Sequence, residues 1–96
     1  MKDSKVKDFM EKIHKIYNKK DINLSEKTKE ELLNQYKKLD QEKTNLAYAA
    51  YDLYPLIRDD SYDNKEDEDL MAFLKYLERN KWKAYFGMVL GSAFSK

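Results

Sequence analysis

The stretch that decides the fold is VKDFMEKIHKIY, residues 6–17. Its apolar side chains recur at the three- and four-residue spacing of one face of an α-helix, and charged residues fill the positions between them. The apolar positions are Val6, Phe9, Met10, Ile13, Ile16 and Tyr17. The spacing predicts an amphipathic helix over 5–19, which must bury this face against other elements.

Three further segments have the same kind of apolar stripe and predict helices over 26–42, 45–58 and 65–79. Two glycines and one proline in 96 residues agree with a mostly helical chain. The pattern predicts an all-α fold, an antiparallel four-helix bundle forming a single domain over 1–96. The predicted core includes Phe9, Ile13, Leu32, Tyr36, Leu39, Leu46, Ala50, Leu53, Leu70, Leu74 and Leu77.

The second helix has two candidate N-caps, Ser25 and Thr28. Glu31 follows Thr28 by three residues, which is the spacing of a capping box. The apolar face of this helix is predicted to consist of Leu32, Leu33, Tyr36 and Leu39.

The third and fourth helices have less distinct ends. Thr44 or Asn45 is expected to cap the third helix, and Pro55 to kink or end it, because proline lacks an amide hydrogen and clashes with the preceding turn. Residues 58–69, RDDSYDNKEDED, predict a loop whose acidic end starts the fourth helix, where the helix dipole favours negative charge. Asn80 is the expected end of that helix.

The overall composition excludes several classes of function. The 19 basic and 18 acidic residues leave a net charge of +1, so global charge predicts neither a nucleic-acid nor a membrane partner. Locally, residues 47–70 hold 2 basic and 8 acidic side chains, whereas residues 71–96 hold 5 basic and 1 acidic. The absence of cysteine excludes disulfides and thiol chemistry. Met1 precedes a charged run, so no signal peptide is expected.

The sequence offers little for catalysis or metal binding. His14 is the only histidine, and we expect it to be structural or solvent-facing; a zinc site is not expected. A calcium loop counted from Asp59 fails where its geometry is strictest, because Asn64 replaces the required glycine and Leu70 the required glutamate. The chain is therefore predicted not to be an enzyme and to hold no cofactor or metal.

Two aromatic patterns remain. Residues 75–86, KYLERNKWKAYF, interleave basic and aromatic side chains, which could meet phosphates and bases. A helix with one buried and one wet face has the same spacing, so we predict no nucleic-acid binding. Tyr48, Tyr51 and Tyr54 step by three around the third helix, which is typical of either a core margin or a protein interface.

The chain ends in an apolar tail over 80–96, predicted to be a short fifth helix or an adaptable segment. Gly87 and Gly91 each lower helix stability by about 1 kcal/mol relative to alanine. The apolar run of the tail is about 13 residues long, shorter than a membrane-spanning helix. We predict that the tail binds a partner through Lys81, Trp82, Lys83, Tyr85, Phe86, Gly87, Met88, Leu90, Gly91 and Phe94.

The chain resembles the small immunity proteins that protect bacteriocin producers from their own peptide, the lactococcin A type first and the pediocin-like type more distantly. The resemblance rests on size, on the four-helix pattern, on KDIN at 20–23 and on Pro55-Leu56 after the third apolar run. It rests most on DLMAFLKYLERNKWKAYFGMVLGSAF, residues 69–94, and it covers nearly the whole chain.

The resemblance implies a binding protein that acts in the cytoplasm. Members of this family recognise a membrane receptor, the mannose-type sugar phosphotransferase permease, once the bacteriocin has engaged it. Their C-terminal part tends to set which bacteriocin is resisted. Lys81 and Lys83 would then suit the anionic inner face of the membrane. The alternative is a small helical regulator or adaptor that binds another soluble protein or DNA.

Overall fold

The computed structural model describes the backbone of residues 4–94 and the side chains of residues 4–82. The helices are α1 (Ser4–Asn18), α2 (Glu26–Asp40), α3 (Leu46–Ser61) and α4 (Glu68–Phe94). Each helix packs against the next along the chain, with the most extensive contact between α3 and α4. The all-α fold of four compactly packed, antiparallel helices is confirmed. Among the described residues, no helix combines the length and hydropathy needed to cross a membrane.

All four helices contribute to one hydrophobic core. Its buried side chains are Phe9, Met10, Ile13, Ile16, Ile22, Leu32, Leu39, Ala49, Ala50, Leu53, Ile57, Leu70, Phe73 and Leu77. Of the predicted core residues, Tyr36, Leu46 and Leu74 are only partly buried and pack against the margin of this cluster.

The buried stripe of α2 differs from the predicted one because it contains two polar residues. It consists of Thr28, Leu32, Gln35 and Leu39, all at most 1% exposed. Leu33 was predicted to belong to this face, and that prediction is wrong, since its side chain is 40% exposed. Adjacent helical residues point about 100° apart, so Leu33 cannot share the face of Leu32.

At the start of α2, the structure selects Ser25 as the N-cap. Its Oγ accepts a hydrogen bond from the Thr28 amide at 3.2 Å and lies 2.8 Å from the Thr28 hydroxyl. The predicted capping box of Thr28 and Glu31 is wrong. Thr28 lies inside the helix, and Glu31 accepts instead from the side-chain amides of Asn34 and Gln35.

In α3, Asn45 is the N-cap, with its Oδ1 accepting from the Tyr48 amide at 2.9 Å. Pro55 does not end the helix, which continues to Ser61, so the predicted end and the predicted start of the acidic loop are wrong. Proline removes only one backbone hydrogen bond from the helix. Beyond the proline, Ile57 is completely buried and Ser61 is buried as well, so their packing stabilises this part of the helix. Packing after the proline therefore keeps the helix intact.

The boundaries of α4 also differ from the prediction. It begins at Glu68, and the carboxylate of Asp67 accepts from the Leu70 amide at 2.9 Å. Asn80 does not end it, since the helix continues past this residue. The Asn80 side-chain amide donates to the Tyr76 carbonyl, one turn earlier, at 2.8 Å. No glycine or proline occurs between Asn80 and Gly87. The backbone of α4 is helical to Phe94.

Candidate interaction surface

The predicted partner-binding residues fall at the edge of what the structure describes. It describes the side chains of Lys81 and Trp82, which are the last two described side chains of α4. Outside the described side chains lie Lys83, Tyr85, Phe86, Gly87, Met88, Leu90, Gly91 and Phe94.

Trp82 presents a large apolar surface to solvent. Its side chain is 49% exposed, whereas Leu77, five residues earlier on the same helix, is completely buried. Large exposed apolar side chains on a folded protein are informative when they belong to a patch, because such patches often mark binding sites.

Lys81 lies between two aromatic rings. Its Nζ is 4.1 Å from the ring centroid of Tyr54 on α3 and 4.9 Å from that of Trp82. The Arg58 guanidinium lies 5.9 Å from the same Tyr54 centroid. Attraction between a cation and the negative face of an aromatic ring stabilises such contacts. Tyr54, which is partly buried against the core, thereby connects α3 to the exposed end of α4. We call Tyr54, Arg58, Lys81 and Trp82 the α3–α4 corner.

The basic side chains around this corner are poorly neutralised. In the described part of the chain, Lys81 has no carboxylate within 4.0 Å. Arg58 pairs with its neighbour Asp59 at 3.4 Å, but both side chains are about half exposed or more. Exposed ion pairs of this kind are weak, so Asp59 neutralises Arg58 only in part.

Only one residue of the tyrosine row on α3 lies at the predicted core margin. Tyr48 and Tyr51 are 41% and 46% exposed and lie away from the core. Tyr54 is partly buried against the core and forms its margin. The row is therefore not a single surface, and its last member belongs to the α3–α4 corner.

Two lysines, one near the end of α1 and one just after it, form ion pairs with part of the acidic stretch. Lys19 Nζ lies 3.0 Å from Asp69 and 3.5 Å from Asp67, and Lys15 lies 3.3 Å from Asp69. Hydrogen bonds from Lys19 and then Lys15 lower the pKa of Asp69, and the bond with Asp69 raises the pKa of Lys19. These ion pairs link the C-terminal end of α1 and the residue after it to the start of α4. Within the described residues, no cluster of three or more potential metal ligands is present.

Sequence reasoning missed a hydrogen-bonded link between two loops. Asn64, between α3 and α4, bonds to both backbone groups of Asn23, between α1 and α2. Beside it, Asp60 accepts from the amide of Ser25 at 3.0 Å. Asn64 is the residue at the position where a calcium loop would require glycine. No periodic signal marks such a pair, because both residues lie outside the apolar stripes.

His14 is exposed, and its ring centroid lies 6.4 Å from that of Tyr36. Its imidazole has no hydrogen-bond partner among the described side chains and backbone groups. His14 therefore faces solvent on α1, which is one of the two alternatives predicted from the sequence.

Comparison with known proteins gives no match to a family model, to a curated protein or to a solved structure.

Proposed function

We propose that the chain is an immunity protein that protects a bacteriocin-producing bacterium from its own bacteriocin. It acts by binding and not as an enzyme. Its partner is the mannose-type phosphotransferase permease with bacteriocin bound, which it approaches from the cytoplasmic side, in peripheral contact with the inner face of the membrane.

The observation that carries this proposal is the exposure of Trp82 beyond the last described core position of α4, Leu77. The described core already draws on all four helices without any residue after Leu77. Trp82 is followed in sequence by the most apolar stretch of the chain, over 82–94. Tryptophan side chains commonly dominate the energetics of protein interfaces, which supports recognition by this end of α4.

The cation–π contacts add a second argument. Lys81, held between Tyr54 and Trp82, restricts the orientation of the exposed indole relative to α3. A side chain that is already ordered loses less conformational entropy when a partner binds. The corner thus has the properties of an anchor for recognition.

The experiment is a protection assay with a matched aromatic control. Full-length chain is expressed in a sensitive strain and challenged with bacteriocins that use the mannose-type permease. We expect the full-length chain to protect against at least one of them, Trp82→Ala to lose this protection and Tyr62→Ala to retain it. Tyr62 is the control because it is also an exposed aromatic residue, 62% exposed, and lies in the α3–α4 connection. Urea unfolding of both purified variants checks that each of them still folds. Equal protection by the two variants would contradict the proposed role of Trp82.

A further inference from the structure

We propose that the α3–α4 corner binds the anionic phospholipid headgroups of a membrane surface. This inference rests on the proposed function, which places the protein at the cytoplasmic side of the membrane. It adds that lipid headgroups are among the groups that the end of α4 contacts.

The first step concerns Lys81. Its ammonium lies against the rings of Tyr54 and Trp82 and has no carboxylate partner within 4.0 Å among the described residues. An ammonium carries three N–H donors, and ring faces attract its charge without replacing an anionic acceptor. Lys81 is thus a positioned cation that can still bond to an anion.

The second step concerns its neighbourhood. Arg58 lies near the same Tyr54 ring, and its carboxylate partner is an exposed adjacent residue, Asp59, at 3.4 Å. A guanidinium suits phosphate particularly well, because its planar fork of donors matches the phosphate oxygens. Two basic groups of different geometry therefore flank one aromatic ring on the surface.

The third step favours a membrane over a dissolved anion or an acidic protein. The exposed Trp82 indole combines an apolar body with a polar N–H, a combination that is enriched at membrane interfaces. The sequence over 80–96 contains no acidic residue, three lysines and a long apolar run. Basic charge next to apolar and aromatic residues is the composition of segments that lie in the interface of an anionic membrane.

The test uses Trp82 as its own probe, because it is the only tryptophan of the chain. Full-length protein is titrated with vesicles of phosphatidylcholine alone and of phosphatidylcholine with an equal part of phosphatidylglycerol. We expect a blue shift of the emission with the phosphatidylglycerol vesicles only, and its reversal by high salt. Removing one charge near such a surface weakens partitioning by about fivefold, so Lys81→Gln should show this loss.

Two variants control for charge and for folding. Lys27→Gln removes an exposed lysine from the first turn of α2 and should partition like the native protein. Lys81→Arg keeps the charge and should retain partitioning, which separates a lost headgroup contact from a damaged fold. Equal losses in Lys27→Gln and Lys81→Gln would overturn the proposal, because the effect would then follow net charge alone.

The last part of the experiment tests soluble anions. Glycerol phosphate and polyglutamate, added without vesicles, should leave the emission unchanged. A shift with glycerol phosphate would overturn the proposal in favour of a free-phosphate site, and a shift with polyglutamate in favour of an acidic protein partner. No shift with phosphatidylglycerol vesicles would also overturn it, while protection in cells would separately decide whether the proposed immunity function stands.

Discussion

The side-chain amide of Asn64 pairs with the backbone of Asn23 through two hydrogen bonds of 3.0 Å, one accepted by Oδ1 and one donated by Nδ2. Nδ2 also donates to the carbonyl of Asp60 at 2.8 Å. One side chain thereby joins the α1–α2 loop to the C-terminal end of α3. This link fixes how the two halves of the bundle meet at that end.

Replacing Asn64 should therefore destabilise the whole bundle. Asn64→Ala removes its hydrogen bonds to Asn23 and Asp60. Water can replace the partners at the exposed Asn23 groups, so we expect a loss of about 1 kcal/mol in the free energy of unfolding. Asn34→Ala is the matched control, since the one side-chain hydrogen bond of Asn34 among the described residues goes to Glu31 in the same exposed turn. Its loss should stay below about 0.5 kcal/mol. Urea denaturation measures both, and similar losses would show that the link between the loops is unimportant.

Core truncations should follow burial. Leu77 is completely buried, so Leu77→Ala should cost about 2–5 kcal/mol through lost burial and the cavity left behind. Leu74 is only partly buried, so Leu74→Ala should cost clearly less. Chemical denaturation of the two variants gives the comparison directly. A larger loss for Leu74→Ala would mean that the packing of α4 differs from the one described.

Gln35 is a polar residue in a core position. It is 1% exposed, and its Nε2 donates to Glu31 at 3.0 Å and to Asp52 at 3.3 Å. Its Oε1 is buried and has no hydrogen-bond partner among the described residues. Burying an acceptor without a hydrogen bond lowers the free energy of unfolding by about 1–3 kcal/mol. Gln35→Met should therefore be neutral or stabilising in a thermal melt. Gln35→Ala, which leaves a cavity, should be destabilising; a clear loss in Gln35→Met would show that the amide stabilises the α2–α3 contact.

The ion pairs of Asp69 predict a particular dependence on pH. Its pKa is held below the ordinary value of 3.8 by Lys19 and then Lys15. Ionised Asp69 therefore stabilises the fold above that value, and this contribution disappears as the pH falls through the lowered pKa. The stability difference between the native protein and Asp69→Asn should be largest near neutral pH and vanish in strong acid. Urea midpoints measured across this range test it.

Asp63→Asn is the control for this series, because the Asp63 side chain is exposed and forms no ion pair within the described structure. Its stability should run parallel to that of the native protein at every pH. A difference between the native protein and Asp69→Asn that persists unchanged in acid would contradict the assignment to Asp69.

The sequence predicted the parts of the fold that follow from periodic burial. The stripe of α1 needs one buried face, and Phe9 and Ile13 lie where that face requires. The sequence could not predict that α3 continues past Pro55, because the stability of that turn comes from the tertiary burial of Ile57. Gln35 was missed for a related reason, since a residue's type does not reveal that neighbouring helices enclose it.

The candidate site was predictable only in part. The apolar, basic composition of residues 80–96 indicated where a partner could bind. The contact between Lys81 and Tyr54 depends on how α3 and α4 pack, and residues 27 positions apart carry no local signal of meeting. The loop link through Asn64 was unpredictable on the same grounds.

The measurement that tests the central claim most directly is a protection assay of a chain ending at Asn80, compared with the full-length chain. Bacteriocins that use the mannose-type permease are applied to a sensitive strain expressing either form, and urea unfolding of both purified proteins is measured in parallel. We predict that the shortened chain unfolds cooperatively with modest loss of stability, because residues of all four helices before Asn80 form the described core. We also predict that it gives no protection where the full chain does. A shortened chain that protects as well as the full one, or a full chain that protects against none of these bacteriocins, would contradict the central claim.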